Sequence, residues 1–256
     1  MALDFSPGVA TLVNHGSAAS LDDMDVGTYV VWMFPTSTDA RSICDKRDTS
    51  GWRTFPCQSN SRLAFQLNRA TVNLTIFSSN DFYTANVWNF AAATWDASGA
   101  DADQKLFQGT LSAAVAEESS YGTQTVGSGA TVTNAGGDFF VGNNGENNVA
   151  LIGRIAWFGV WNVQLTLAQL QAQQFFPHKT AGCVLFSHYG YNGVGTQADW
   201  SGNVNNGTVT GATQADHVPL GPLVRSDTFP TVAAGAAPAG NAMPMAIHHY
   251  GMAGGL

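Results

Sequence analysis

The chain has 256 residues, of which 11% are charged, and 18 acidic against 10 basic side chains give a formal charge of −8. That balance excludes a nucleic-acid surface, whose affinity comes largely from Lys and Arg displacing counterions from phosphates. With 28 Gly, 15 Phe and 7 Trp, the composition predicts turn-rich β structure with a large core, as one large all-β domain or two small ones.

The opening MALDFSPGVATLVNHG has no basic n-region and no apolar h-region, so a soluble chain made in a cytoplasm is expected. TYVVWMF (28–34) is β-branched and aromatic and reads as a strand ending at Pro35, which cannot donate to a ladder. LAFQLN (63–68) alternates Leu63, Phe65 and Leu67 against polar or small neighbours, VNLTIF (72–77) does likewise, and the two read as a hairpin. VWNFAAATWD (87–96) and KLFQG (105–109) read as a second pair across the polar loop 97–104, and DFFVGNNG (138–145) as a strand running into a turn. ALIGRIAWFGVWN (150–162) is apolar on both faces, with Ile155, Trp157 and Trp161 on one and Ala156, Phe158 and Val160 on the other, so it is expected to be a central, doubly covered strand.

One helix is predicted over 166–176, where Thr166 and Gln169 stand at capping-box spacing, Leu167, Leu170 and Gln174 fall near one face, and Pro177 closes it. CVLFSHYG (183–190) and NGTVTG (206–211) are the last strands. Many short strands with one helix indicate an antiparallel sandwich. Cys44 and Cys57 are placed to pair across a hairpin, but without a secretion signal reduced thiols are expected of both and of Cys183.

The tail changes character. Residues 226–256 are rich in Ala, Gly and Pro, hold no sustained period and cannot build a core of their own. The uncharged part, Phe229 to Ile247, is broken by prolines and too weakly apolar to cross a bilayer. Its last part concentrates Met243, Met245, Ile247, Tyr250 and Met252 around His248 and His249. The expectation is a domain over 1–225 followed by an extended arm that docks on a partner subunit, with the two histidines as interface or solvent groups.

ALDFSPGVATLVNHGSAASLDDMDVGTYVVWMFP, then WNFAAATWD, KLFQG, FFVGNN and LIGRIAWFGVWNVQLTLAQLQA, taken in that order, resemble the laminin-G-like, concanavalin-A-like jelly-roll domains. The resemblance covers residues 2–211 and implies an all-β, two-sheet antiparallel sandwich with one short helix. In such domains a phrase like DWSGNVNNGTVTG precedes the opening strand; here it stands at 199–211, as in a circular permutation. Asp199, Ser201, Gly202 and Asn203 would form a turn and Asn206-Gly207 would launch the strand, a purely architectural role.

The resemblance also bears on chemistry. Its hydrolase members need two carboxylates flanking the sugar bond, in one branch as E-x-D-x-x-E. The chain has only Glu117, Glu118 and Glu146, none so spaced, and lacks H-E-x-x-H, G-x-S-x-G and a phosphate-cradling loop, so no enzyme is expected. Relatives hold calcium at the sandwich edge, and the oxygen-bearing candidates are Asn80 with Asp81, Asp101 with Asp103, and Asn143, Asn144, Glu146 and Asn147. Ordinary turn chemistry explains the same residues. Sugar binding needs an aromatic platform beside polar groups, for which exposed Trp52 or Tyr121 would serve.

The order SGNVNNGTVTG followed by ADHVPLGP (215–222) further resembles phage-encoded chains. That implies a non-enzymatic virion protein, on capsid or tail, displaying a lectin-like jelly-roll, oligomeric in its assembly and docked by its arm. A free-standing carbohydrate-binding lectin module is the alternative, and a glycoside hydrolase a more distant one.

Overall fold

The computed structural model describes residues 1–6, 10–98 and 103–218, all within the compact unit Met1–Leu220. The chain begins with β1 (Ala2–Phe5) and β2 (Leu12–Asn14), then a 3-10 turn, Ala19–Leu21, and the long β3 (Val26–Pro35). Four strands follow as a meander: β4 (Ser42–Arg47), β5 (Trp52–Gln58), β6 (Arg62–Leu67) and β7 (Leu74–Ser78). β8 (Asn89–Asp96), β9 (Lys105–Thr110), β10 (Ala116–Glu117), β11 (Tyr121–Thr125), β12 (Phe139–Val141) and β13 (Gly153–Trp161) lead to the helix α1 (Leu167–Phe175). β14 (Cys183–His188), β15 (Thr208–Thr210) and β16 (Thr213–Ala215) close the described chain.

These strands form two antiparallel eight-stranded sheets, a jelly-roll sandwich. The first runs β10-β9-β8-β3-β13-β1-β16, with β14 also on β13; the second runs β11-β7-β6-β5-β4-β12-β2-β15. Between them lies one core, in which Tyr29, Val31, Met33, Trp95, Ile155, Phe158 and Val160 of the first sheet meet Val13, Phe55, Phe65, Leu67, Ile76 and Phe139 of the second. Tyr29 touches five rings there, Phe55, Phe65, Trp95, Phe139 and Phe158, at centroid distances of 4.9 to 6.0 Å. The expected hairpins β6–β7 and β8–β9 are both present.

The outer face of the first sheet carries a second apolar cluster, including Trp32, Phe90, Phe107, Trp157, Trp161 and Phe186, on which Leu165 and Leu170 pack. The central position of β13 agrees with its two apolar faces, but its alternation is interrupted. A bulge between Ile155 and Trp157 turns both Ala156 and Trp157 outward, so Ile155 sides with Phe158 and Val160, not with the two tryptophans. α1 has the predicted capping box, Gln169 N–H donating to Thr166 Oγ1 at 3.3 Å and Thr166 N–H to Gln169 Oε1 at 2.8 Å. It buries Leu170, Gln173 and Gln174, while Leu167 is exposed. Gln174 explains the difference: its amide accepts from Val115 N–H and donates to the carbonyls of Thr110 and Ala113, holding the β9–β10 connection.

Two cations lie inside the sandwich. Lys46 is fully buried, donating to Gly137 O at 2.6 Å and pairing with Asp22 at 2.7 Å. Arg53, equally buried, donates to Leu21 O and to the Tyr29 hydroxyl and lies over the rings of Tyr29 and Trp95. Cys44, Cys57 and Cys183 are all free thiols, as expected. Among the described residues no helix is long and apolar enough to cross a membrane.

The stretch 199–211 packs against β14 and the second sheet. Asp199 accepts from Phe186 N–H, Ser201 N–H and Oγ–H, and Asn205 N–H, at 2.7 to 3.0 Å. Asn205 donates to Val184 O and Ser20 Oγ, and its carbonyl accepts from His15. The turn then delivers β15 onto β2, Val209 opposite Val13, where it forms an edge of the second sheet.

Candidate functional site

The second sheet turns its other face outward, and that face is polar. A continuous row of cross-strand neighbours crosses all eight strands: Thr208, Asn14, Phe140, Asp45, Thr54, Gln66, Thr75 and Thr125. The usual strand spacing of ~4.8 Å gives the row a length of about 34 Å. It holds hydroxyls, amides and one carboxylate, interrupted by one aromatic ring. In β4 and β5 the alternation that builds it is Asp45 out and Cys44 and Lys46 in, Thr54 out and Arg53 and Phe55 in. Pro56, in a central strand, is accommodated at the β-bulge that shifts the register between Ser42 and Cys44.

Over the middle of this row lies a cleft of about 500 Å³, lined among others by Arg41, Asp45, Arg47, Thr54, Gln66 and Asn144. A neighbouring depression is lined by Arg47, Trp52, Asp138, Phe140 and Glu146. Further along the face the guanidinium of Arg62 sits 4.9 Å from the Phe77 ring centroid.

Asp45 is the distinctive group. Its carboxylate is 1% exposed; Oδ2 takes the N–H of Gly145 at 3.4 Å and lies 3.5 Å from Arg47 Nε, while Oδ1 has no hydrogen-bond partner. The Arg47 contact attracts by charge but is not aligned as a hydrogen bond. Burial pushes the Asp45 pKa up, against the pull of Arg47 and Gly145, and the charge of Glu146 adds to the rise. A buried acceptor without a donor costs stability; this oxygen is closed to solvent, although Asp45 is among the residues lining the cleft.

Of the residues singled out in the sequence, Trp52, Asn144 and Glu146 come together on this face, expected there for two different chemistries. Trp52 is half-buried beside Arg47, its register partner on β4. Tyr121 lies elsewhere, also half-buried: its hydroxyl accepts from Leu106 N–H at 3.2 Å, tying β11 of one sheet to β9 of the other. Asn80 and Asp81 form an exposed turn in which Asp81 N–H donates to Asn60 O. The carbonyl of Asp103 accepts from the Gln164 side chain; Asp101 lies outside the described residues, as does the expected arm with Met243, Met245, Ile247, His248, His249, Tyr250 and Met252.

The 143–148 loop does not fit a calcium ion. Asn143 Oδ1 accepts from the N–H groups of Asn144 and Val149, and Asn144 Oδ1 from that of Asn148, so the amide oxygens serve the loop's own backbone. Glu146 and Asn147 are exposed, and Glu146 Oε2 accepts from Asn148. Calcium takes six to eight oxygens, carboxylates among them. No group of three or more His, Cys, Asp or Glu placed to hold a metal occurs among the described residues.

No family model and no curated protein matches the chain. Solved structures do. A Bacteroides ovatus protein, provisionally described as carbohydrate binding, superposes with a TM-score of 0.55 at 13% identity, over 86% of this chain and 61% of that one. The likeness is one of fold. The chain spans less than two thirds of that protein's length. A heptameric SAP-like pentraxin from Limulus polyphemus gives a TM-score of 0.42 at 13% identity, over 67% of this chain and 80% of that one. The LG4-5 domains of the mouse laminin alpha1 chain give 0.43 at 12% identity, over 65% and 43%.

Proposed function

We propose that the chain is a non-enzymatic carbohydrate-binding module, and that it binds an extended glycan across the outer face of the second sheet. The observation that carries this reading is the continuous polar row across the second sheet with a cleft over its middle, where Asp45, Thr54 and Gln66 are among the lining residues. Thr54 and Gln66 supply uncharged hydrogen-bonding groups, Arg47 a donor, and Trp52 and Phe140 apolar surface for the C–H faces of pyranose rings. A row crossing eight strands suits a chain of sugars better than a single one. The fold shared with the Bacteroides ovatus protein agrees with this reading.

The test is a glycan array probed with the intact chain and with Asp45→Asn and Trp52→Ala. Signal from the parent that falls about tenfold or more in both variants supports the reading; equal signal in all three overturns it. Release of reducing sugar from any glycan bound would overturn its non-enzymatic part, with Asp45 and Glu146 then the carboxylates to substitute.

The same reading extends to display on a virion, capsid or tail, with residues 226–256 as the docking arm to neighbouring subunits. Its support is the sequence alone: the run from SGNVNNGTVTG to ADHVPLGP and the Met-bearing C-terminal stretch. Co-purification with particles that is lost on deleting 226–256 is the expected result, and a chain never found with particles overturns it.

A further inference from the structure

Two large rings stand outside both apolar clusters, on the turns that follow β14. Tyr191 is 72% and Trp200 51% exposed, their centroids are 6.1 Å apart, and their planes meet at 84°. Rings left in water this way forgo most of the stabilisation that burial supplies, so their placement contributes little to the fold.

The backbone beneath them is fixed. Trp200 N–H donates to Phe186 O at 2.7 Å, and the adjacent Asp199 takes the four hydrogen bonds described above. On the Tyr191 side, Gln197 is fully buried; it accepts from Gly190 N–H and donates to the carbonyls of Gly193 and Gly195. Rings on such supports have little main-chain freedom to lose when a ligand arrives.

Their geometry selects among occupants. Perpendicular rings form a corner, with one π-face and one ring edge, and the Tyr191 hydroxyl adds a polar group. A cation stands at the same turn: a Cβ built on Gly202 would lie 3.1 Å from Lys179 Nζ. Exposed Asn192, Thr196 and Asn203 belong to the same turns. Exposed Val194 and Val204 stand on these turns too, but they alternate in sequence with the polar residues, whereas an amphipathic helix or apolar peptide needs a groove apolar along its length. A pyranose, with one C–H face and a rim of hydroxyls, matches an aromatic corner bordered by donors and acceptors.

We propose that Tyr191 and Trp200 form a second carbohydrate subsite, separate from the cleft over the second sheet, in which one pyranose unit of a polysaccharide stacks on the indole. The proposal does not require the cleft to bind sugar.

The test is electrophoresis of the full chain through gels containing soluble xylan, mannan, mixed-linkage glucan or alginate, with Trp200→Ala and Tyr191→Ala made in the parent and in an Asp45→Asn/Trp52→Ala background. The expected result is retardation in at least one gel that persists in that background and weakens about tenfold with either ring removed, a loss of about 1.4 kcal/mol in binding. Unchanged thermal unfolding of both ring variants separates this from misfolding. If the ring variants migrate like their parents, if the parent is retarded in none of the four gels, or if ring removal alters only the oligomeric state by size exclusion, the proposal is overturned. Loss with Asp45→Asn/Trp52→Ala alone would support the cleft and reject the corner; loss with the ring variants alone would do the reverse.

Discussion

The indole N–H of Trp32, on a central strand of the first sheet, donates to the main-chain carbonyl of Gln174 in the last turn of α1 at 2.6 Å. The helix C-terminus, whose carbonyls lack intrahelical partners, is thereby satisfied by the sheet it covers. The Gln174 side chain points to the other neighbour, the β9–β10 connection, with three hydrogen bonds. Gln174→Ala is expected to leave Val115 N–H and the Thr110 and Ala113 carbonyls short of a partner and to cost about 3 kcal/mol. Urea unfolding of the variant checks it; Gln174→Glu, which keeps the acceptor but loses the donor, is expected to be no better.

Asp45 has a pH signature. Burial, the largest influence on it, raises its pKa. An acid whose folded pKa lies above its unfolded value stabilises the fold fully below the unfolded value, about 4, and loses that contribution as pH rises through the folded value. Asp45→Asn is therefore expected to be more stable than the parent at pH 7, with a Tm gain of about 2–4 °C, roughly what 1 kcal/mol is worth in a domain of this size. The gain is expected to shrink below pH 4. Lower glycan signal with higher stability would mark the carboxylate as kept for binding.

His15 runs the opposite way. Its Nδ1–H donates to Asn205 O at 2.7 Å, the carbonyl having no proton to give, so Nε2 accepts from the Tyr189 hydroxyl at 2.9 Å. Burial lowers its pKa to about 4, against the Asn205 carbonyl and the charge of Asp199, and His188 is lowered to about 4 chiefly by burial as well. A base with a depressed folded pKa stabilises the fold above its unfolded value, about 6.5, and that contribution is lost as pH falls toward 4. For His15 the loss is on the order of 3 kcal/mol. Unfolding free energies between pH 7 and 4 are expected to fall steeply in the parent and less steeply in His15→Gln.

Asp199 is expected to be the most sensitive residue of its turn. Asp199→Ala removes an acceptor from Phe186, Ser201 and Asn205 at once, and a loss of about 3 kcal/mol is expected. Hydrogen exchange localises it: the amides of Phe186, Ser201 and Asn205 are expected to lose protection before those of β3 and β8.

The strongly periodic elements were legible in the sequence, because a half-buried strand and a capped helix repeat their pattern. β4 and β5 were not, since Lys46 and Arg53 occupy inward positions where the period calls for apolar residues. Each is tolerated only through distant partners, Asp22 and Gly137 for one, Tyr29 and Leu21 for the other. The bulge in β13 and the buried amides of α1 were hidden for the same reason, depending on what packs opposite. On the outer face of the second sheet, Trp52, Asn144 and Glu146 each had a local signal. Asp45 had none: its place in the lining of the cleft is defined only by the assembled sheet.

The polar row on the second sheet takes one residue from each of eight strands, from Asn14 near the start of the chain to Thr208 far beyond it. No fragment shorter than residues 14–208 contains it, and a one-residue slip of any strand would replace its member with an inward-facing neighbour. Glycan recognition on this face would thus be a certificate of completed folding: a nascent or misregistered chain would be blind to the ligand, and the ligand would in turn select the chains that had finished.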